Sequence, residues 1–269
     1  MKNYPNIISK LFYEPLLITK AKHYAIWKVL ESRLAGNTLP IPGMSEEDDD
    51  EEEDELWECT EPDVVIPVHG ILGKHLSGME IMSGGADLDG INSKIDAALS
   101  LPSVERIVFD FRSPGGTVTG IPELARKIAG ITSKETIAFS DSECCSGALW
   151  LAAQCQRFYA TESSSVGSIG VWCAYLDLSR QMQNQGENLQ EFSAGKFKTM
   201  GAYWKPLTDS EKAMIQASVD KIYVQFKEAV NARREISAEH MEGQVFDGSE
   251  AVEIGLVDGV VDSLEEVFG

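Results

Sequence analysis

From residue 62 onward the apolar positions keep two alternating rhythms. "DVVIPVHGIL" is a strand-like run beginning near Val64, and "DLDGINSKIDAAL" then places Leu88, Ile91, Ile95 and Leu99 at helical spacing. "RIVFDF" reads as a short buried strand, "GIPELARKIAGI" as a helix, "TIAFS" as a strand, residues 145–155 as a helix and "RFYATE" as a strand. Such alternation predicts parallel strands joined by crossover helices, an α/β fold. The longest predicted helix runs from Thr208 to about Arg234. It opens on a Thr208–Glu211 capping box and carries Ile215, Val219, Ile222, Phe226 and Val230 as one stripe, for the core or for a subunit contact. "GQVFDGSEAVEIGLVDGVVD" closes the chain as strand, helix, strand, and no internal repeat is visible.

Upstream the pattern differs. Residues 1–43 hold an expected short helix, Lys20 to Leu34, followed by the loop "GNTLPIPG". Residues 44–61 contain "EEDDDEEEDE", which repels itself and reads as a solvated, disordered linker, with a partner-binding acidic tract as the alternative. The domain proper is expected over residues 62–269, and 269 residues suffice for one large α/β domain with an attached segment.

A formal charge of −20 argues against nucleic acid or an anionic membrane as a direct partner. Five cysteines without C-x-x-C spacing fit neither a disulfide framework nor a zinc site, and point to reduced thiols in a cytosol. The N-terminus lacks the apolar core and cleavage site of a signal peptide, and no stretch is apolar enough to span a membrane. A soluble, cytoplasmic protein is therefore expected. No metal, nucleotide or organic cofactor is indicated.

Three segments carry small residues where packing alone would not ask for them. In "FDFRSPGGTVTG" a strand runs into Ser113-Pro114-Gly115-Gly116, whose backbone N–H groups are free to approach an oxyanion; a plain tight turn is the simpler reading. In "SECCSGALWLAAQ" Ser146 precedes Gly147 and an apolar helix, either as an exposed nucleophile or as a helix-capping serine. In "SAGKFKTMGAYW" Lys196 and Lys198 are ordinary surface lysines or, for one of them, a base. The S-x-x-K string Ser193–Lys196 lacks its companion motifs and is set aside.

The histidines, His23, His69, His75 and His240, all lie far from Ser146 in sequence. A serine is also activated by a neutral lysine, at a cost of roughly 4–5 kcal/mol to bring the amine from about 10.4 to near 7. Burial and hydrogen bonds must supply that. Ser168, framed by Gly167 and Gly170 in "SSSVGSIGV", is a candidate partner for such an amine.

Taken together, "SPGGTVTG", "CCSGALWLAA", "SVGSIGV" and "SAGKFKTMGAYWKPLTDSEK", in that order, resemble the signal peptide peptidase A family of serine–lysine peptidases. The likeness spans about residues 62–262 and implies the Clp-protease/crotonase-like fold. Carried over position by position, it implies Ser146 as nucleophile, Lys198 as general base, and Ser168 as the serine that hydrogen-bonds the lysine amine. The N–H groups of Gly116 and Gly147 match the oxyanion hole, and Trp150 stands where the family has an aromatic. The paired Cys144 and Cys145 depart from the pattern, and Cys145 is an alternative nucleophile without an indicated partner.

"PNIISKLFYEPLLITKAKHYAIWKVL", with its F-x-E-P-L element, is similar to the N-terminal segment of tailed-phage capsid assembly proteases. That subgroup implies scaffold, capsid and portal proteins as substrates or assembly partners, a homo-oligomer, and self-processing as an option. In some members of the wider family the serine and lysine come from neighbouring subunits. A soluble cellular peptidase, a crotonase-type acyl-CoA enzyme and a head-assembly protein without catalysis are the competing readings.

Overall fold

The computed structural model describes residues 15–28 except 21 and 25, residues 59–60 and residues 62–268. In chain order the elements are β1 (Leu16–Ile18), β2 (Cys59–Thr60), β3 (Asp63–His69), β4 (Ile71–Gly73), α1 (Gly78–Met82), β5 (Gly85–Asp87) and α2 (Leu88–Ser100). There follow β6 (Arg106–Arg112), β7 (Gly115–Thr117), α3 (Ile121–Ala129), β8 (Glu135–Ser140), β9 (Glu143–Cys145) and α4 (Gly147–Ala152). The rest are β10 (Arg157–Ala160), β11 (Ser165–Gly167), α5 (Ser179–Asn184), α6 (Asp209–Asn231), β12 (Val245–Phe246), α7 (Gly248–Glu253) and β13 (Gly259–Val260).

Among the described residues the main sheet has the order β13-β10-β8-β6-β3-β2, and every pairing from β13 to β3 is parallel. That is the α/β alternation expected from the apolar rhythm. Helix α2 buries Leu88, Ile91 and Ile95 at the predicted spacing, with Ala98 buried and the expected Leu99 only half-buried, and α3 buries Ile121, Leu124, Ala125 and Ile128. Both stripes join Val64, Ile66, Val68, Ile107, Phe109, Phe111 and Ala138 in the principal core. Alternate residues of the same strands, Val65, Val108, Ile137 and Phe139, face the opposite side, where Val267 and Phe268 cover them. Arg106 secures that cover: its guanidinium grips the Asp63 carboxylate at 2.5 and 2.7 Å and donates to the Phe268 carbonyl at 3.1 Å.

Helix α6 starts at the expected capping box, with Thr208 and Glu211 bonded reciprocally. Its stripe divides along its length. Phe226 and Val230 are buried, whereas Ile215, Val219 and Ile222 are only half-buried, so the first half of the helix stands away from the core.

Of the expected N-terminal helix, residues 20, 22–24 and 26–28 are helical; the remainder, and the acidic run 46–55, lie outside the described residues. Cys59 and Thr60, at the end of the expected linker, pair antiparallel with Val64 and Asp63. Leu16–Ile18 joins a second sheet of order β1-β7-β4-β5, in antiparallel register with Gly115–Thr117. A third sheet, β12-β11-β9, completes the described strands. The two small sheets stand beyond the carboxyl ends of β3, β6, β8 and β10, where ligand sites of parallel α/β folds gather.

Candidate active site

Each chemistry-bearing segment leaves the carboxyl end of a different parallel strand. β6 runs into Ser113-Pro114-Gly115-Gly116, β8 into β9 and Ser146, and β10 into β11 and Ser168. Short polar bonds hold these exits together. Ser113 Oγ donates to the Gly70 carbonyl at 2.6 Å and accepts from Gly115 N–H at 3.2 Å. Ser113 N–H reaches Glu143 O at 2.7 Å, and Cys145 N–H reaches Ser113 O at 3.0 Å. Ser140 Oγ donates to Phe111 O at 2.8 Å.

Ser146 sits between β9 and α4 with φ 55° and ψ −115°, in a backbone region that disfavours any residue with a Cβ. Its side chain makes no capping bond to the helix, so the helix-cap reading does not describe it. Such strain costs about 1–3 kcal/mol and persists where the surroundings over-determine it. Here they do. Every residue of α4 is buried, Trp150 stacks on Phe226 with ring centres 4.7 Å apart, and Trp150 N–H closes on Ser146 O at 3.0 Å. The predicted helix over residues 145–155 is thus shorter, because Glu143–Cys145 is spent on a strand.

β9 lies parallel to β11 with Cys145 opposite Gly167, and Ser146 N–H donates to Gly167 O at 2.8 Å. Ser168, the next residue, also has a positive φ, 59°, and its N–H donates to Gln244 O at 2.5 Å. Ser146 and Ser168 therefore emerge side by side from paired strands.

The glycines are required by proximity. A Cβ on Gly116 would stand 1.8 Å from Leu72 O, and one on Gly115 would stand 1.9 Å from Leu17 O and 2.8 Å from Gly147 N. A Cβ on Gly147 would have Gly116 N at 3.5 Å. The amide nitrogens of Gly116 and Gly147 thus border one small volume beside Ser146, a geometry able to hold an oxyanion.

Burial separates the thiols from the hydroxyl chemically. It pushes the Cys145 thiol up to about 12, the Glu143 carboxylate adding to the effect, and lifts Cys144 well above its usual range. At neutral pH neither supplies a thiolate. The histidines are engaged elsewhere: His69 Nε2 meets Asp110 Oδ2 at 2.7 Å, His75 Nδ1 meets Asp89 at 2.6 Å, and His240 packs edge-on against Phe246. His23 packs edge-on against Trp172.

Lys196 and Lys198 are both exposed in the single chain, in a turn segment ordered by one carboxylate. Glu191 accepts from Trp204 Nε1 at 2.8 Å, Thr199 Oγ1 at 2.9 Å and Lys205 Nζ at 3.0 Å. Those bonds, the indole's foremost, draw its carboxyl down to about 2. Lys198 lies on the wall of a cavity of about 540 Å³, lined also by Pro15, Cys173, Tyr175, Trp204 and Met214. Within one chain the structure thus brings Ser146, Ser168, Gly116 and Gly147 together, and sets Lys198 on the neighbouring cavity.

Reading the sequence alone passes over Leu17 and Trp172, which lie against the glycines and against β1. The only signal was the E-P-L-L-I string itself. Among the described residues no group of His, Cys, Asp or Glu side chains is arranged to hold a metal ion, and no helix is long and apolar enough to cross a membrane.

A strained serine opening a buried helix at the carboxyl edge of a crossover-connected parallel sheet, faced by two glycine amides, is a geometry suited to acyl transfer on a Clp-protease-like fold. The model of peptidase family S49 matches residues 131–267, half of the chain, and the chain belongs to that family. It is similar to capsid assembly protease C of Escherichia phage lambda, 27% identical over 286 residues, covering 99% of this chain and 65% of that protein. The head-tail preconnector protein GP5 of Enterobacteria phage P21 is 26% identical over 284 residues, covering 99% and 57%. Protease 4 of Salmonella typhi is 25% identical over 185 residues, covering 66% and 30%. The chain spans less than two thirds of the length of these relatives.

Proposed function

We propose that this chain is a serine endopeptidase with a Ser146–Lys198 dyad that cuts scaffold and head proteins during assembly of a phage capsid. Neutral Lys198 takes the Ser146 proton as Oγ adds to the scissile carbonyl. The oxyanion rests on the N–H groups of Gly116 and Gly147. Lysine then returns the proton to the leaving amine, and water releases the acyl group from Ser146. Ser168 positions the lysine by accepting from its amine.

The observation that carries this reading is the strained, non-capping Ser146 beside the Gly116 and Gly147 amides. Likeness to phage proteins named for capsid assembly and for the head-tail preconnector supports the assignment to capsid maturation.

A lysine base must be dry, because burial is what favours the neutral amine. Lys198 is exposed in the lone chain, so a second copy is required to cover the 193–205 segment. Phe192 at 94% exposure, with Tyr203 and Met214 also exposed, offers that copy an apolar surface. The peptidase domain is taken to run from residue 62, with Cys59–Thr60 of the preceding linker and Leu16–Ile18 of the N-terminal segment contributing strands to its sheets.

Purified protein incubated with its scaffold substrate tests the proposal. Ser146→Ala and Lys198→Ala are expected to abolish cleavage, while Lys196→Ala keeps most of it. Cleavage by Ser146→Ala would overturn the mechanism, and lost cleavage with Lys196→Ala beside an active Lys198→Ala would reassign the base.

A further inference from the structure

The volume bordered by Gly116 and Gly147 is already occupied by main chain. β1 lies antiparallel to β7 with Leu16 opposite Thr117, Leu17 opposite Gly116 and Ile18 opposite Gly115. On its other edge Leu16 exchanges both backbone hydrogen bonds with Trp172, at 2.8 and 3.2 Å. Polar groups of successive strand residues point to opposite edges, so the N–H and C=O of Leu17 turn toward Gly116. The Leu17 carbonyl oxygen would stand 1.9 Å from a Cβ on Gly115 and 3.4 Å from one on Gly147. Leu17 Cβ would stand 3.3 Å from the latter. A substrate carbonyl seeking the two glycine amides would meet Leu17 first.

The segment is fastened on several sides. Leu16, Leu17 and Ile18 are all buried, Leu17 completely. Trp172 Nε1 donates to Ile18 O at 2.9 Å, the His23 ring stands edge-on to Trp172 at 4.4 Å, and Lys22 pairs with Glu143 of β9 at 3.5 Å. Pro15 and Cys173 open the cavity that carries Lys198, so the slot holding β1 continues toward the proposed base.

We propose that Leu16–Ile18 fills this chain's own peptide slot, between Gly115–Thr117 and Trp172, and that an extended apolar substrate strand enters only when this segment leaves. The proposal rests on the peptidase reading for its consequence, though the occupancy is tested apart from it. The slot pairs backbone along both edges and buries every side chain of the occupant, so it takes an apolar strand of Leu-Leu-Ile character.

The test uses the full chain carrying Leu17→Asp, which sets a charge against the glycine amides' apolar surroundings, with the milder Leu17→Ala beside it. Amide hydrogen exchange at Gly116 and Trp172 reports the slot; a fluorophosphonate probe reports access to Ser146. If the bound segment limits access, releasing it multiplies the open fraction, and labelling of the Leu17→Asp protein should rise about tenfold. Leu17→Ala should move the same way by a smaller factor. Exchange at Gly116 and Trp172 should quicken in both. A synthetic peptide of residues 12–22 should restore protection and suppress labelling.

Unchanged exchange and labelling in both variants would overturn the proposal, as would slower labelling, which would make β1 a wall of the site rather than its occupant. Quickened exchange reversed by the peptide, with Ser146 unlabelled in every protein, would uphold the occupancy and refute the serine nucleophile.

Discussion

Ser146 N–H donates to the carbonyl of Gly167 at 2.8 Å, which makes Ser146 and Ser168 neighbours that leave paired parallel strands, both with positive φ, and Ser146 in a disfavoured backbone region at φ 55° and ψ −115°. Replacing Ser146 by glycine removes the Cβ that this conformation resents. Ser146→Gly should therefore raise unfolding stability by about 1–2 kcal/mol in a denaturant titration while hydrolysis disappears. Ser146→Ala keeps the Cβ and should lose activity without the gain. Equal stability of the two variants would remove the case for strain at this position.

Ser168 is proposed to act through the lysine amine, and its loss should be read in a pH profile. An acceptor at the amine favours its charged form, so without the Ser168 hydroxyl the acid limb of kcat should move to lower pH by about one unit, beneath a lower plateau from lost positioning. KM should change little, and Ser168→Thr, which keeps a hydroxyl, should recover part of the rate. A uniform drop at all pH values would give Ser168 a structural role only.

The two oxyanion glycines should fail in different ways. A methyl on Gly116 meets the Leu72 carbonyl at 1.8 Å, and backbone there has no room to yield. Gly116→Ala should lower stability by about 1–3 kcal/mol or more, measured by thermal melting. A methyl on Gly147 meets its closest neighbours at 3.3 to 3.5 Å, all of them in Leu17 or Gly116. Gly147→Ala should fold with near-native stability and lose about a hundredfold or more in kcat.

Much of the scaffold was legible because its signals are local. Leu88, Ile91 and Ile95 mark α2 by spacing, and Thr208 with Glu211 marks the start of α6 within four residues of chain. The small sheets were not legible. β1, β7, β9 and β11 each span three residues, too few to show a period, and their pairings join Leu16–Ile18 to Gly115–Thr117 across almost a hundred residues. The same holds within the site. Motif order points to Ser146, Ser168 and the glycines, which a single chain assembles, but exposure of Lys198 depends on what covers it, and no local pattern encodes that.

Glu191 gives a pH signature to the segment that carries Lys198. Its folded carboxyl titrates near 2, below the usual 4.5, so the bonds it accepts contribute fully above pH 4.5 and are lost as pH falls toward 2. The Trp204 indole N–H resonance should hold its position down to about pH 4 and shift in step with Glu191 protonation below it. Glu191→Gln should loosen residues 193–205 in hydrogen exchange and leave the main sheet unchanged. An indole resonance that moves near pH 4.5 would mean that these bonds do not form in solution.

Hydrolysis by the proposed dyad needs one reactive oxygen and one amine, and the most direct measurement is the site and rate of fluorophosphonate attachment, read by peptide mass spectrometry. With the Cys145 thiol held near 12, the adduct should fall on Ser146 alone, at a rate untouched by Lys196→Ala. Lys198→Ala should slow it by about a hundredfold or more. An adduct on another residue, or a Lys198→Ala protein that labels as fast as the native chain, would contradict the Ser146–Lys198 dyad.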